Sequence, residues 1–79
     1  MIIRDLAFQP PDLTIAVGET VTWTNRETPP HTTASRTTSE WGSPILNLDE
    51  SFRHTFGRPG TFEYWCTIHP DMRGTITVR

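Results

Sequence analysis

The chain has 79 residues, one cysteine, no lysine and a formal net charge of −2 from seven arginines and nine acids. Without a polybasic face it is no natural partner for nucleic acid or an anionic membrane, and no apolar run approaches the roughly 20 residues a bilayer span needs. A domain this small buries a thin core, and with Cys66 alone the staple it wants is a metal, an unusually good core or an oligomer rather than an internal disulfide.

Short alternating segments separated by turn residues dominate, and sustained helical periodicity is absent, so the expected fold is all-β. In chain order the expected strands are Ile2 to Phe8, Leu13 to Val17, Thr20 to Asn25, Thr32 to Arg36, Ser51 to Phe56, Thr61 to Cys66 and Thr75 to Val78. About seven strands in one domain, residues 1–79, suit a Greek-key β-sandwich. The opening MIIRDLAFQP has neither the basic segment nor the long apolar stretch of a signal peptide.

The turns support these cuts. Pro10-Pro11-Asp12 ends the first segment, Val17-Gly18-Glu19 makes a tight reversal, and Gly57-Arg58-Pro59-Gly60 separates two strands in hairpin fashion. The span Thr37 to Glu50, with Gly42 and Pro44, is the one whose structure the pattern leaves open. Period-two alternation sets Val21, Trp23 and Asn25 on an inner face, with Phe52, His54 and Phe56 on another and Phe62, Tyr64 and Cys66 on a third. Trp65, out of phase with Cys66, belongs on the outer side, and His54 is expected to be a packed histidine.

The chemistry concentrates in YWCTIHPDM, residues 64 to 72, where Cys66, His69 and Met72 fall three apart at the end of one strand and in the loop before the next. Such a loop can turn three side chains toward one point but leaves a fourth position open. His31, heading the strand HTTASR after Pro29-Pro30, is the natural candidate. Two imidazoles, a thiolate and a thioether are the donors of copper electron-transfer sites, a trigonal His2Cys set with a weak axial Met. Structural zinc prefers four strong Cys or His donors. Taken singly, each of these residues has an ordinary reading as core filler or loop; the combination is what points to a metal.

The segments VTWTNRETPPH and GTFEYWCTIHPDMRGTITV resemble those that deliver the metal ligands in cupredoxins, the plastocyanin and amicyanin family of small blue-copper proteins. The Cys-x2-His-x2-Met spacing is similar to that of the amicyanin-like members. The resemblance implies one type 1 copper ion held by His31, Cys66, His69 and Met72, and a periplasmic or otherwise extracytoplasmic location. It also implies that the exposed His69 can leave Cu(I) and take a proton at low pH. Two positions depart from the family pattern. Thr32 stands where Asn is common, so its hydroxyl is expected to reach Thr67 as a shorter tie between the ligand loops. Ile68 stands where amicyanin has proline, and its amide is expected to donate to the Cys66 sulfur beside the amide of Thr32.

The resulting expectation is a monomeric one-electron carrier, not an enzyme, with the edge of His69 as its electron port. An apolar patch of Pro30, Ile68, Pro70 and Met72 surrounds that port, rimmed by Asp71, Arg73 and Arg26, and docks a redox protein such as a cytochrome or a dehydrogenase-like donor or acceptor. Other readings stand beside it: a copper storage or delivery domain, a trimmed cupredoxin domain of a larger redox protein, and an interaction module without copper. Only two methionines argue against storage. A catalytic copper would need further histidines, and only His54 is left.

Overall fold

The computed structural model describes all residues, 1–79, as eight strands and no helix; none is therefore long and apolar enough to cross a membrane. In order these are β1 (Ile2–Arg4), β2 (Ala7–Gln9), β3 (Asp12–Ile15), β4 (Thr20–Asn25), β5 (Ala34–Ser35), β6 (Ser51–Thr55), β7 (Gly60–Trp65) and β8 (Arg73–Val78). They form two four-stranded sheets, ordered β2-β1-β4-β6 and β3-β8-β7-β5. The parallel pairs β1 with β4 and β3 with β8 sit among antiparallel neighbours, giving the expected all-β sandwich a mixed topology.

The sheets bury their inner faces against each other. Alternation does this directly: Val21, Trp23 and Asn25 of β4 are buried, as are Phe62 and Tyr64 of β7 with Cys66 just beyond it. Aromatic rings close the gap between the sheets. Tyr64 meets Phe8 edge-on at 4.6 Å between ring centres and Trp23 at 5.4 Å. Burying side chains of this size contributes about 1.5–3 kcal/mol each, which is how a short chain builds its core. Close packing also fixes the entry to β8: a Cβ on Gly74 would press into the Tyr64 ring, 2.7 Å from Cε1 and closer still to its hydroxyl end.

Several expected elements differ. Ile2 to Phe8 is not one strand but the hairpin β1-β2, because Asp5 and Leu6 both adopt positive φ, 56° and 52°, and reverse the chain. Two consecutive left-handed residues are what a tight two-residue hairpin requires. Thr32 to Arg36 contributes only Ala34–Ser35 to a ladder, since the residues before it turn inward toward the site. The turn Gly57 to Gly60 joins no hairpin: β6 and β7 belong to different sheets, so the segment crosses from one layer to the other. Val17-Gly18 is a tight reversal as expected, with Glu19 N donating to Ala16 O at 3.1 Å and Gly18 at φ 92°.

The open span 37–50 turns out to be part of the core. Trp41 stacks on Trp23 with ring centres 5.9 Å apart, and its Nε1 donates to Thr33 Oγ1 at 3.5 Å. Leu46 is buried and bridges to His31 through paired backbone bonds of 3.0 and 2.7 Å. His54 packs as expected, stacked on Trp41 at 4.8 Å and edge-on to Phe56. Trp65 is half-buried on the outer side beneath the Arg36 guanidinium.

Candidate metal centre

Each side of the site is built by a different local device. The chain leaves β7 at Cys66, whose sulfur is fully buried at the margin of the core. A turn follows with Pro70 and Asp71 at its centre, and Met72 N donates to His69 O at 2.9 Å. Proline at the first central position pre-sets the turn backbone. The Cys66 N to Met72 O bond, 3.0 Å, then closes the loop and delivers the chain to β8. This folds Met72 inward as a buried side chain and leaves His69 half-buried.

The other side runs from Asn25 to Thr33. Asn25 ends the inward-facing row of β4, and its side chain works in two directions: Nδ2 donates to Pro29 O at 3.0 Å and Leu46 O at 2.9 Å, while Oδ1 accepts from Glu27 N at 3.1 Å. The loop is thus laced from inside, and His31 arrives 0% exposed. Its Nε2 meets Glu27 Oε2 at 2.5 Å. Glu27 also accepts from the amides of Asp5, at 2.7 Å, and Leu6, at 3.1 Å. Burial pushes this carboxyl up, but the hydrogen bonds from His31 and from the Leu6 and Asp5 amides outweigh it and hold Glu27 below the usual carboxylate range.

With Nε2 committed to Glu27, His31 presents Nδ1 to the interior. That nitrogen lies 3.7 Å from Cys66 Sγ, and His69 Nδ1 lies 3.8 Å from the same sulfur. Candidate donor atoms of His31, Cys66 and His69 all lie within 4.8 Å of one another. Metal bonds of about 2.0–2.3 Å separated by about 120° place nitrogen and sulfur about 3.8 Å apart, so each histidine nitrogen already stands at ligand spacing from the sulfur. One thiolate and two imidazoles beside a buried thioether suit copper better than zinc.

Besides the two imidazole nitrogens, the sulfur has two contacts from Thr32, its amide at 3.4 Å and its hydroxyl at 3.9 Å. The expected tie between the loops is present: Thr32 Oγ1 lies 2.8 Å from Thr67 Oγ1 and accepts from Thr67 N at 2.8 Å. The expected bond from the Ile68 amide is not made. Beyond Thr67 the chain swings outward, leaving Ile68 41% exposed and its amide unpaired within the protein. The hollow at the site's surface is lined by Leu6, Ile68, His69, Pro70, Asp71 and Met72. Leu6 takes the place expected for Pro30. Of the expected rim charges, Arg26 is paired with Asp49 and Arg73 Nε donates to Pro70 O at 3.2 Å.

The sequence profile described as copper-binding proteins of the plastocyanin/azurin family matches residues 2–79. The chain belongs to that family. It is 36% identical to amicyanin of Paracoccus denitrificans over 80 residues, covering 96% of this chain and 61% of that protein. Against chloroplastic plastocyanin of Physcomitrium patens it is 35% identical, covering 92% of this chain and 51% of the relative. This plastocyanin/azurin-family chain therefore spans roughly three-fifths of the first of these relatives and half of the second. A Cu(I) form of an amicyanin variant superimposes with a TM-score of 0.93 at 34% identity, over 99% of this chain and 78% of the other. Copper is accordingly the metal of this fold family, and the donors match it.

Glu27 and Asn25 are the residues that spacing alone missed as parts of the site. The signal for Glu27 is its place four residues before His31 in the same loop; for Asn25 it is a polar residue on an otherwise apolar inner face. Neither signal names a partner, because the Glu27 contacts lie more than 20 residues away on the β1-β2 turn.

Proposed function

We propose that residues 1–79 form one copper-binding unit that carries single electrons, with a type 1 copper held by His31, Cys66, His69 and Met72. The observation that carries this reading is the convergence of His31 Nδ1, Cys66 Sγ and His69 Nδ1 at metal-ligand spacing in a chain of the copper-binding family. Bound there, copper supplies a one-electron Cu(II)/Cu(I) couple. The protein's contribution is to keep its donors still. Asn25 and Glu27 brace His31, the Thr32–Thr67 tie locks the two ligand loops together, and the Thr32 amide donates to the sulfur, which tempers its donor strength. A donor set that moves little between oxidation states suits a carrier.

His69 is the one nitrogen ligand with an exposed edge, and it opens into the hollow bounded by Leu6, Ile68 and Pro70. We read this as the port where a redox protein, a cytochrome or dehydrogenase-like donor or acceptor, docks on a monomeric chain. The family's extracytoplasmic setting is our reading of the compartment. Electron carriage rather than catalysis is our reading of a cluster that offers one metal four protein groups. Adding Cu(II) to the metal-free protein tests the reading: one equivalent is expected to produce intense visible thiolate-to-copper absorption that Cys66→Ala abolishes. A colourless complex, or colour that survives the substitution, overturns it.

A further inference from the structure

The site's most unusual wiring lies behind His31. The two carboxylate oxygens of Glu27 serve three donors: Asp5 N on Oε1, and both Leu6 N and His31 Nε2 on Oε2. Its side chain is only 16% exposed, so it links a fully buried imidazole to two amides on an exposed turn. Asp5 and Leu6 form the β1-β2 turn, and both hold positive φ. That conformation is costly for a branched side chain such as Leu, and the carboxylate that accepts both amides is what the structure provides to hold it. Leu6 is also 52% exposed and lines the hollow around His69. The residue a partner would press on therefore shares an acceptor atom with a buried metal ligand.

We propose that Glu27 is a positioning residue that couples the β1-β2 turn, and hence docking at Leu6, to the copper ligand His31. The inference rests on the copper reading above. A carboxylate accepting from Nε2 makes the imidazole a stronger donor at Nδ1 and fixes its ring plane. Movement of Leu6 N toward or away from Oε2 alters how much of that oxygen remains for His31. Contact at the patch thereby reaches the metal without passing through His69, the ligand that lies in the patch. Coupling of this kind is reciprocal: whatever the turn does to His31, a metal on His31 must do to the turn.

Reciprocity makes the test independent of any partner. Amide hydrogen exchange at Asp5 and Leu6 is followed in the whole protein, metal-free and loaded with Cu(I), with Glu19 N in the distant 16–19 turn as reference. Loading is expected to slow Asp5 and Leu6 by about fivefold or more while leaving Glu19 within twofold. Equal slowing at Glu19 reflects global stabilisation and overturns the coupling, as does unchanged exchange at Asp5 and Leu6. In Glu27→Gln the selective slowing is expected to disappear and the reduction potential to rise. If that variant does not fold, the wild-type comparison decides alone. Leu6→Gly, which suits positive φ, is expected to shift the potential of the parent protein but not that of Glu27→Gln; equal shifts in both overturn the proposal. Absence of the visible band in the parent overturns the copper reading and the coupling with it, whereas a band without selective slowing overturns the coupling alone.

Discussion

The two histidine sides of the site are built on opposite plans. On the His31 side, the Asn25 side chain makes three hydrogen bonds and the Glu27 carboxylate takes three more, the ring is fully buried, and the backbone pairs with Leu46. On the His69 side the loop is closed by two backbone bonds, Met72 N to His69 O and Cys66 N to Met72 O, and the ring keeps an exposed edge. The contrast assigns one side to holding geometry and the other to contact with the outside. Both needs cannot be met by one ligand, because the burial that fixes a ring also removes it from reach.

The largest expected effect that separates the two sides is chemical rescue. His69→Gly opens a gap to solvent, so added imidazole is expected to restore the visible absorption of the Cu(II) protein. His31 is 0% exposed, so the gap left by His31→Gly lies away from solvent, and the same imidazole is expected to restore far less. Equal rescue of both would erase the contrast.

Next in size is the bracing itself. Asn25→Ala leaves Pro29 O and Glu27 N without their partner and takes one of two bonds from Leu46 O, which keeps His31 N, and orphaned buried groups cost about 1–3 kcal/mol each where water cannot reach them. A loss of about 3 kcal/mol in urea unfolding of the metal-free protein is expected, a large share of what a domain this small can have. A loss under about 0.5 kcal/mol, typical of surface changes, would show that the loop holds itself.

Gly74→Ala sharpens the view of the His69 side, because Gly74 lies two residues beyond Met72 and directly against Tyr64. Overpacking of this kind costs about 1–3 kcal/mol. The variant is expected to unfold at correspondingly lower urea, and unchanged stability would mean that β8 can shift away from the ring.

The smallest effect serves as a control far from both histidine ligands. Burial lowers the pKa of His54 below 6.5, so the folded state disfavours the proton that the unfolded state accepts. Stability from this group is complete above pH 6.5 and is lost as pH falls from there through its depressed folded value. Its surroundings are Trp41 and Phe56, with Glu40 and Arg58, themselves an ion pair, lining the same hollow. His54→Phe is expected to flatten that part of the metal-free stability profile, as measured by urea unfolding at several pH values. A slope that persists unchanged would assign it to other groups.

Much of this was legible from residue order. Period two in TVTWTN and TFEYWC gave the inner faces because each strand has one dry side, and the Cys66, His69 and Met72 spacing gave the ligand loop because all three lie in one short connection. What stayed hidden depended on contacts distant in sequence. Trp41 sits among Gly and Pro with no alternation to mark it as core, and its stacking on Trp23 exists only after the sheets close. The Asp5-Leu6 reversal was invisible because Leu rarely takes positive φ, and the Glu27 carboxylate that accepts its amide lies 21 residues further along the chain. Ile68 shows the converse: an amide near the sulfur in sequence is not near it in direction.

The central claim is that these donors hold one copper through a reversible one-electron cycle. Stoichiometric reductive titration of the Cu(II)-loaded protein, followed at the thiolate-to-copper band, tests it most directly. The account predicts complete bleaching after one electron per chain and full return of the same band on reoxidation. Bleaching that takes more than one electron, or that releases the metal and fails to return, would contradict it.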